Sequence, residues 1–186
     1  GLTRRGNLAQ LVLSGEYPNV YIDNVYFYKS GGSGPTAPTI APPQPTYPSS
    51  DVISIFSDQY TNVAGTDLNP NWGQATKVSQ VTIQNNKILK YEGLNYQGTQ
   101  FGSNQNVTAQ KFLHLDFWTS NSSSLKIFLI SPGPVETPFT LTVPTSGWSS
   151  VDIPLTSFAP VNLANLIQIK VEGNGDVYFD NILFRK

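Results

Sequence analysis

Trp72 sits in Asn69-Pro70-Asn71-Trp72-Gly73-Gln74, a stretch with no apolar neighbours to draw an indole into a core. An indole left among amides suits the C–H face of a sugar ring, whose hydroxyls exchange hydrogen bonds with Asn and Gln. Tyr91, Tyr96 and Gln100 repeat that mixture within the segment 90–101. Side chains two apart on a strand share a face, so His114, Asp116 and Trp118 oppose Leu113, Leu115 and Phe117 and point to solvent. The expected contact set is therefore Trp72, Tyr91, Tyr96, Gln100, His114 and Trp118. Packing alternatives stand beside it: Trp118 fits a core if its strand bulges, and Tyr96 can cover a sandwich edge. Trp148, just before Val151-Asp152-Ile153-Pro154-Leu155, reads as a packing residue between sheets.

Reactive chemistry finds little to work with. His114 is the only histidine, it lies mid-strand, and no Gly-x-Ser-x-Gly elbow presents a nucleophile. Cysteine is absent, so zinc has no ligand cluster. The carboxylates of 51–186 form no recognisable catalytic pair, and phosphate-binding glycine signatures are missing. The expectation is a non-catalytic chain. One acidic residue asks for another explanation: Asp180 interrupts the apolar run Tyr178 to Phe184. A carboxylate buried in a strand is costly unless it is paired, hydrogen-bonded or bound to a cation. Calcium held by Asp180 and Asp58 as a structural ion is one answer. A hydrogen-bonded acceptor at a turn or bulge is the other.

The elements that would position these residues are short strands. Val52 to Phe56, Val78 to Ile83, Lys87 to Tyr91, Lys111 to Trp118, Leu125 to Ile130, Phe139 to Val143, Ser150 to Ile153, Leu166 to Val171 and Val177 to Phe184 are β-rich and bounded by turn residues such as Gln84-Asn85-Asn86 and Ser131-Pro132-Gly133-Pro134. With no amphipathic helix between them, they imply an all-β antiparallel β-sandwich or jelly roll. The last strand also occurs twice. Val20-Tyr21-Ile22-Asp23-Asn24-Val25-Tyr26-Phe27 echoes Val177 to Phe184, and Asn7 to Leu11 echoes Asn162 to Leu166. That self-similarity divides the chain into the terminal strand pair of a truncated sister repeat (1–29), a Gly/Ser/Pro-rich linker (30–50) and a complete sandwich (51–186). Unpaired edges of 1–29 would seek a partner, by docking on the complete copy or by strand exchange with a neighbouring molecule.

Composition narrows the partners. Charged residues make up 12% of the chain and the net charge is −1, without basic clustering, which argues against nucleic acid and anionic membranes. No apolar run approaches a membrane span. Gly1-Leu2-Thr3-Arg4-Arg5 has no apolar core of a secretion signal. A cysteine-free, nearly neutral chain rich in Thr and Asn fits an exported bacterial protein, so an extracellular location is expected.

Taken in order, Asp51 to Asn62, Asn69 to Gln74, Tyr91-x-x-Leu94-Asn95-Tyr96-x-Gly98, His114 to Trp118, Trp148 to Leu155 and Val177 to Asn181 resemble the modules appended to bacterial polysaccharide-degrading enzymes such as laminarinases. They look like the galactose-binding-like jelly rolls of family 4 and family 22 carbohydrate-binding modules. The resemblance implies a structural calcium near the first and last strands, at Asp58 and Asp180. It implies a glycan site in a sheet-face cleft or at loop tips, at Trp118 and His114 or at Trp72 and Tyr96. The expected partner is a β-glucan or related polysaccharide, with a glycoside hydrolase as parent protein. A structural or adhesive repeat of a bacterial surface protein is the alternative.

Overall fold

In a computed structural model, the described residues are 35–186 together with Glu16 and Asn19. The chain divides into two units, Gly1–Gly32 and Ser33–Lys186. Apart from Glu16 and Asn19 the first lies outside the described residues, and with it the expected partial repeat and its docking or exchange.

Ten strands build the second unit: β1 (Val52–Phe56), β2 (Lys77–Ile83), β3 (Asn86–Glu92), β4 (Tyr96–Gln105), β5 (Phe112–Thr119), β6 (Leu125–Ser131), β7 (Val135–Thr140), β8 (Trp148–Pro154), β9 (Leu166–Gly173) and β10 (Val177–Arg185). They form an all-β antiparallel sandwich. One sheet has six strands in the order β2-β3-β10-β5-β8, with β1 also on β10; the other has four, in the order β4-β9-β6-β7. β10 is central because its chain is apolar on both faces and buried nearly throughout, the composition of a covered strand. Between the sheets, period-2 alternation delivers Leu113, Leu115 and Phe117 of β5 and Leu125, Ile127 and Leu129 of β6 to one shared core, and a one-residue register slip in β10 lets both Phe179 and Phe184 join them. The β2–β3 hairpin closes on Gln84 and Asn85, both at positive φ (53° and 64°), as a tight two-residue turn demands.

Three departures from the sequence expectation have physical causes. β4 is a ten-residue strand in a segment with no strand expected from sequence; an edge strand tolerates Gly98, Gly102 and a run of amides. β7 begins at Val135 rather than Phe139: the turn after Ser131 sends the chain straight back, and Pro138 is accepted because β7 is also an edge. The third concerns the proline-rich stretch, whose residues 35–48 lie on the outer face of the six-stranded sheet. Pro38 and Pro42 are buried, and Ala37 packs with Ile88, Trp118 and Tyr178. The Trp148 indole N–H donates to the Ile40 carbonyl (2.8 Å), and the Ala41 amide donates to Gln84 Oε1 (3.1 Å). At its end Tyr47 meets the His114 ring edge-on, with centroids 5.8 Å apart. The face expected to be open to solvent is therefore covered.

Candidate functional site

The outer face of the four-stranded sheet is the surface that gathers the aromatic and amide residues. Ladder register sets its rows. Tyr96, Glu172, Lys126 and Thr140 lie abreast, then Gly98, Lys170, Phe128 and Pro138, then Gln100, Gln168, Ile130 and Glu136. Their neighbours Phe101, Leu125, Ile127, Leu129, Ile169 and Val171 point the other way, into the core.

Trp72 reaches this face from the long β1–β2 loop. Its amide donates to Gln74 Oε1 (2.8 Å), and its carbonyl accepts the Tyr96 hydroxyl (2.8 Å). Gly73 follows at φ +81°, a conformation only glycine adopts cheaply. The six-membered ring of the indole then occupies the space above Gly98 that any Cβ would fill, so a side chain there would expel it. Asn95 ties the base of the loop by accepting from the Ala75 and Thr76 amides (3.1 and 3.2 Å). Trp72 is thus half-buried and fixed, with its carrier loop hydrogen-bonded at both ends.

Beside it lies a charged and amide strip. Lys170 Nζ stands 4.0 Å from the centroid of the Phe128 ring and pairs with Glu136 (2.8 Å) and Glu172 (3.0 Å). Burial works to lower the Lys170 pKa, yet the hydrogen bonds to both glutamates outweigh it and leave it raised. Gln168 donates its amide to Gln100 Oε1, and Gln100 donates to the Ile167 carbonyl (3.3 Å). A depression of about 300 Å³ opens at the end of the first row, lined by Asn95, Lys126, Glu172 and Asn174 among others. Lys126 and Lys170 balance Glu136 and Glu172, so the face is close to neutral. This arrangement can hold hydroxyls against an aromatic ring. It offers no nucleophile with a base beside it.

The expected contact residues separate. Trp72, Tyr96 and Gln100 come together on this face. Tyr91 does not: it is 1% exposed in the core, tilted against Phe179, and burial pushes its phenol up to about 12 despite a hydrogen bond with Thr99. His114 and Trp118 belong to the other sheet. His114 is 5% exposed beneath Tyr47 and bonds Asp152 through Nδ1 (2.9 Å), while Asp152 also holds Arg185 through two hydrogen bonds (2.8 and 2.6 Å). Trp118 packs edge-on against Tyr178 at 5.5 Å and lines a separate cavity. Phe128, Gln168 and Lys170 were missed. Their signal was legible: with Leu125, Ile127 and Leu129 inward, Phe128 had to be an aromatic on the outer face.

For a metal, the donor set is thin. Asp58 is exposed and accepts the Lys87 amide (2.8 Å). Asp180 is fully buried, with one oxygen accepting from Asn86 and the other from the Asn181 amide (2.7 Å). The register with β5 slips by one residue between Asp180 and Leu183, a β-bulge with Asn181 at φ +50°. Among the described residues no three His, Asp or Glu side chains converge as a cage. Calcium takes six to eight oxygens, so an ion held by Asp58 and Asp180 would need backbone and amide oxygens besides these carboxylates.

No family model and no curated protein matches the chain. Solved structures do. The family 11 carbohydrate-binding module of a cellulosomal cellulase of Clostridium thermocellum is 18% identical over 72% of this chain and 94% of its own, with a TM-score of 0.48. The family 30 module of a cellulosomal cellulase from the same organism is 16% identical over 73% and 97%, with a TM-score of 0.49. A mutant family 29 carbohydrate-binding module is 14% identical over 72% and 89%, with a TM-score of 0.50. At 14% identity the family 29 match is a likeness of fold alone: the chain shares its two-sheet sandwich.

Proposed function

We propose that the chain is a non-catalytic carbohydrate-binding module that holds a neutral, β-glucan-like polysaccharide across the outer face of the four-stranded sheet and so attaches an extracellular polysaccharide-active enzyme to its substrate. The observation that carries this reading is Trp72 fixed over Gly98, next to the Gln100–Gln168 amides and the Lys170–Glu136–Glu172 cluster. Phe128 is 6% exposed under Lys170, so it serves to seat the ammonium, and the sugar ring stacks on Trp72. Four strands about 4.8 Å apart give a face wide enough for a few sugar rings in line. Its balanced charge favours a neutral polymer over a polyanion. The shared fold of a family 29 carbohydrate-binding module supports the reading, though fold alone does not assign function.

Affinity electrophoresis and calorimetry against laminarin, soluble cellulose, xylan, mannan and alginate test it. The expected result is retardation on a neutral β-glycan and none on alginate, with binding reduced about ten- to a hundredfold in Trp72→Ala, the loss of one stacking contact of roughly 1–3 kcal/mol. Retardation on no polymer would overturn the reading in favour of a structural or adhesive repeat.

A further inference from the structure

On the six-stranded side of the sandwich, Trp118 lines a cavity of about 460 Å³, on the opposite sheet from the Trp72 face. Its walls come from the end of β5, the loops at 120–121 and 145–147, Asp176, and the start of the proline-rich stretch at Pro35 and Thr36. That volume lies in the range of small-molecule sites. The body of the indole is fixed from below by Tyr178 and Ile88. Its N–H donates to no group of the described residues.

The polar rim is already half spoken for, which shows what remains. Thr119 Oγ1 donates to the Asp176 carbonyl (2.7 Å) and accepts the Ser122 amide (3.0 Å). Asn121 Oδ1 accepts the Asp176 amide (2.8 Å), leaving the Asn121 NH2 group to donate. Asp176 Oδ1 accepts the Gly93 amide (2.8 Å), leaving Oδ2 to accept. These bonds hold the rim rigid, a condition for binding without a large ordering cost. The hydroxyls of Thr36, Thr145 and Ser146 complete it. No lysine or arginine lines the cavity and one carboxylate does, so an anion is disfavoured. Neutral hydroxyls, each a donor and an acceptor, match the mixed free valences.

We propose that this cavity is a second carbohydrate site, which takes one or two rings of a neutral sugar or a glycan chain end against Trp118, independently of the Trp72 face. Being bounded by loops on several sides, it suits a terminal ring, whereas the Trp72 face is an open strip.

The chain has three tryptophans, so its indole N–H groups give three resolvable ¹H–¹⁵N signals. Titration of the full chain with glucose, xylose, mannose, galactose and cellotriose reads each of them. The expected result is a saturable shift of the Trp118 signal with at least one sugar, retained in Trp72→Ala and lost in Ser146→Tyr, which fills the cavity from an exposed loop without entering the core. A Trp118 signal unmoved by every sugar overturns the proposal. So does a shift that survives Ser146→Tyr, or one that disappears in Trp72→Ala. Failure of the Trp72 reading alone would leave the Trp118 response in place, so the two stand or fall separately.

Discussion

Asp180 faces Asp116 directly across the β10–β5 ladder, and both carboxylates are buried. Burial, with Asp116 and Asp58 nearby, pushes the Asp180 carboxyl up to about 6, against hydrogen bonds from Asn86 and Asn181 that lower it. A carboxyl raised in the folded state binds its proton more tightly there than in the unfolded chain. Its contribution to stability is complete below its ordinary value near 3.8 and is lost as pH rises through about 6. Asp180→Asn removes that loss. Its oxygen can still accept the Asn181 amide, and its NH2 can meet Asn86 Oδ1, a buried acceptor with no donor among the described residues, once the Asn86 amide turns over. Thermal melts should show variant and wild type nearly equal near pH 4. The variant should gain on the order of 1–2 kcal/mol by pH 7, less than the full linkage because the bulge relaxes. A variant that melts lower at pH 7, with a chelator lowering the wild type equally, would instead place a divalent cation at the expected Asp58–Asp180 position.

The proline-rich stretch works as an element although it has no ladder of its own. Proline pre-sets an extended chain, so laying it on a sheet costs little conformational entropy, and three side chain–backbone hydrogen bonds, from Trp148 to Ile40, from Ala41 to Gln84 and from Tyr60 to Tyr47, fix its register. Trp148→Phe keeps the packing and removes the donor to Ile40. The expected cost is about 0.5–1.5 kcal/mol, with faster exchange of the Ala41 amide in a hydrogen-exchange measurement while β5 and β10 amides keep their protection. Unchanged Ala41 exchange would mean that the stretch is held without the Trp148–Ile40 bond, by packing and its remaining hydrogen bonds. Elements were legible in sequence to the degree that burial wrote a pattern. β1, β5, β6 and β10 bury an alternating or continuous apolar face, and their limits were read within about a residue or two. β4 was not, since an edge strand with a polar outer face has no such signature. The same limit explains Tyr91: alternation around Leu89 put it inward, but its phenol and its Glu92 and Asn95 neighbours made it look exposed. Proline announced extension in 35–48 but carried no information about what it would lie on.

For the whole molecule, the two sheets share a single core while the two proposed sites lie on different outer faces. Stability and recognition should therefore come apart on mutation. Phe179 is fully buried between Tyr91 and Phe117, on the strand that pairs with β1, β3 and β5. Phe179→Ala should cost about 3–5 kcal/mol, a large part of the roughly 5–15 kcal/mol that holds a domain of this size together. Its denaturant midpoint should fall steeply with m preserved, because the same surface still unfolds at once. The fraction that remains folded should keep wild-type affinity for any polymer bound at the proposed Trp72 site, since no ladder position of that face changes. Trp72→Ala is the mirror case, with affinity lost and the midpoint moved by less than about 1 kcal/mol, as expected for a half-buried loop residue outside the core. Denaturant titration and calorimetry on the two variants check both halves together. A Phe179→Ala protein that is folded but binds weakly would show that the outer face depends on the core for its shape, with β10 as the link between them.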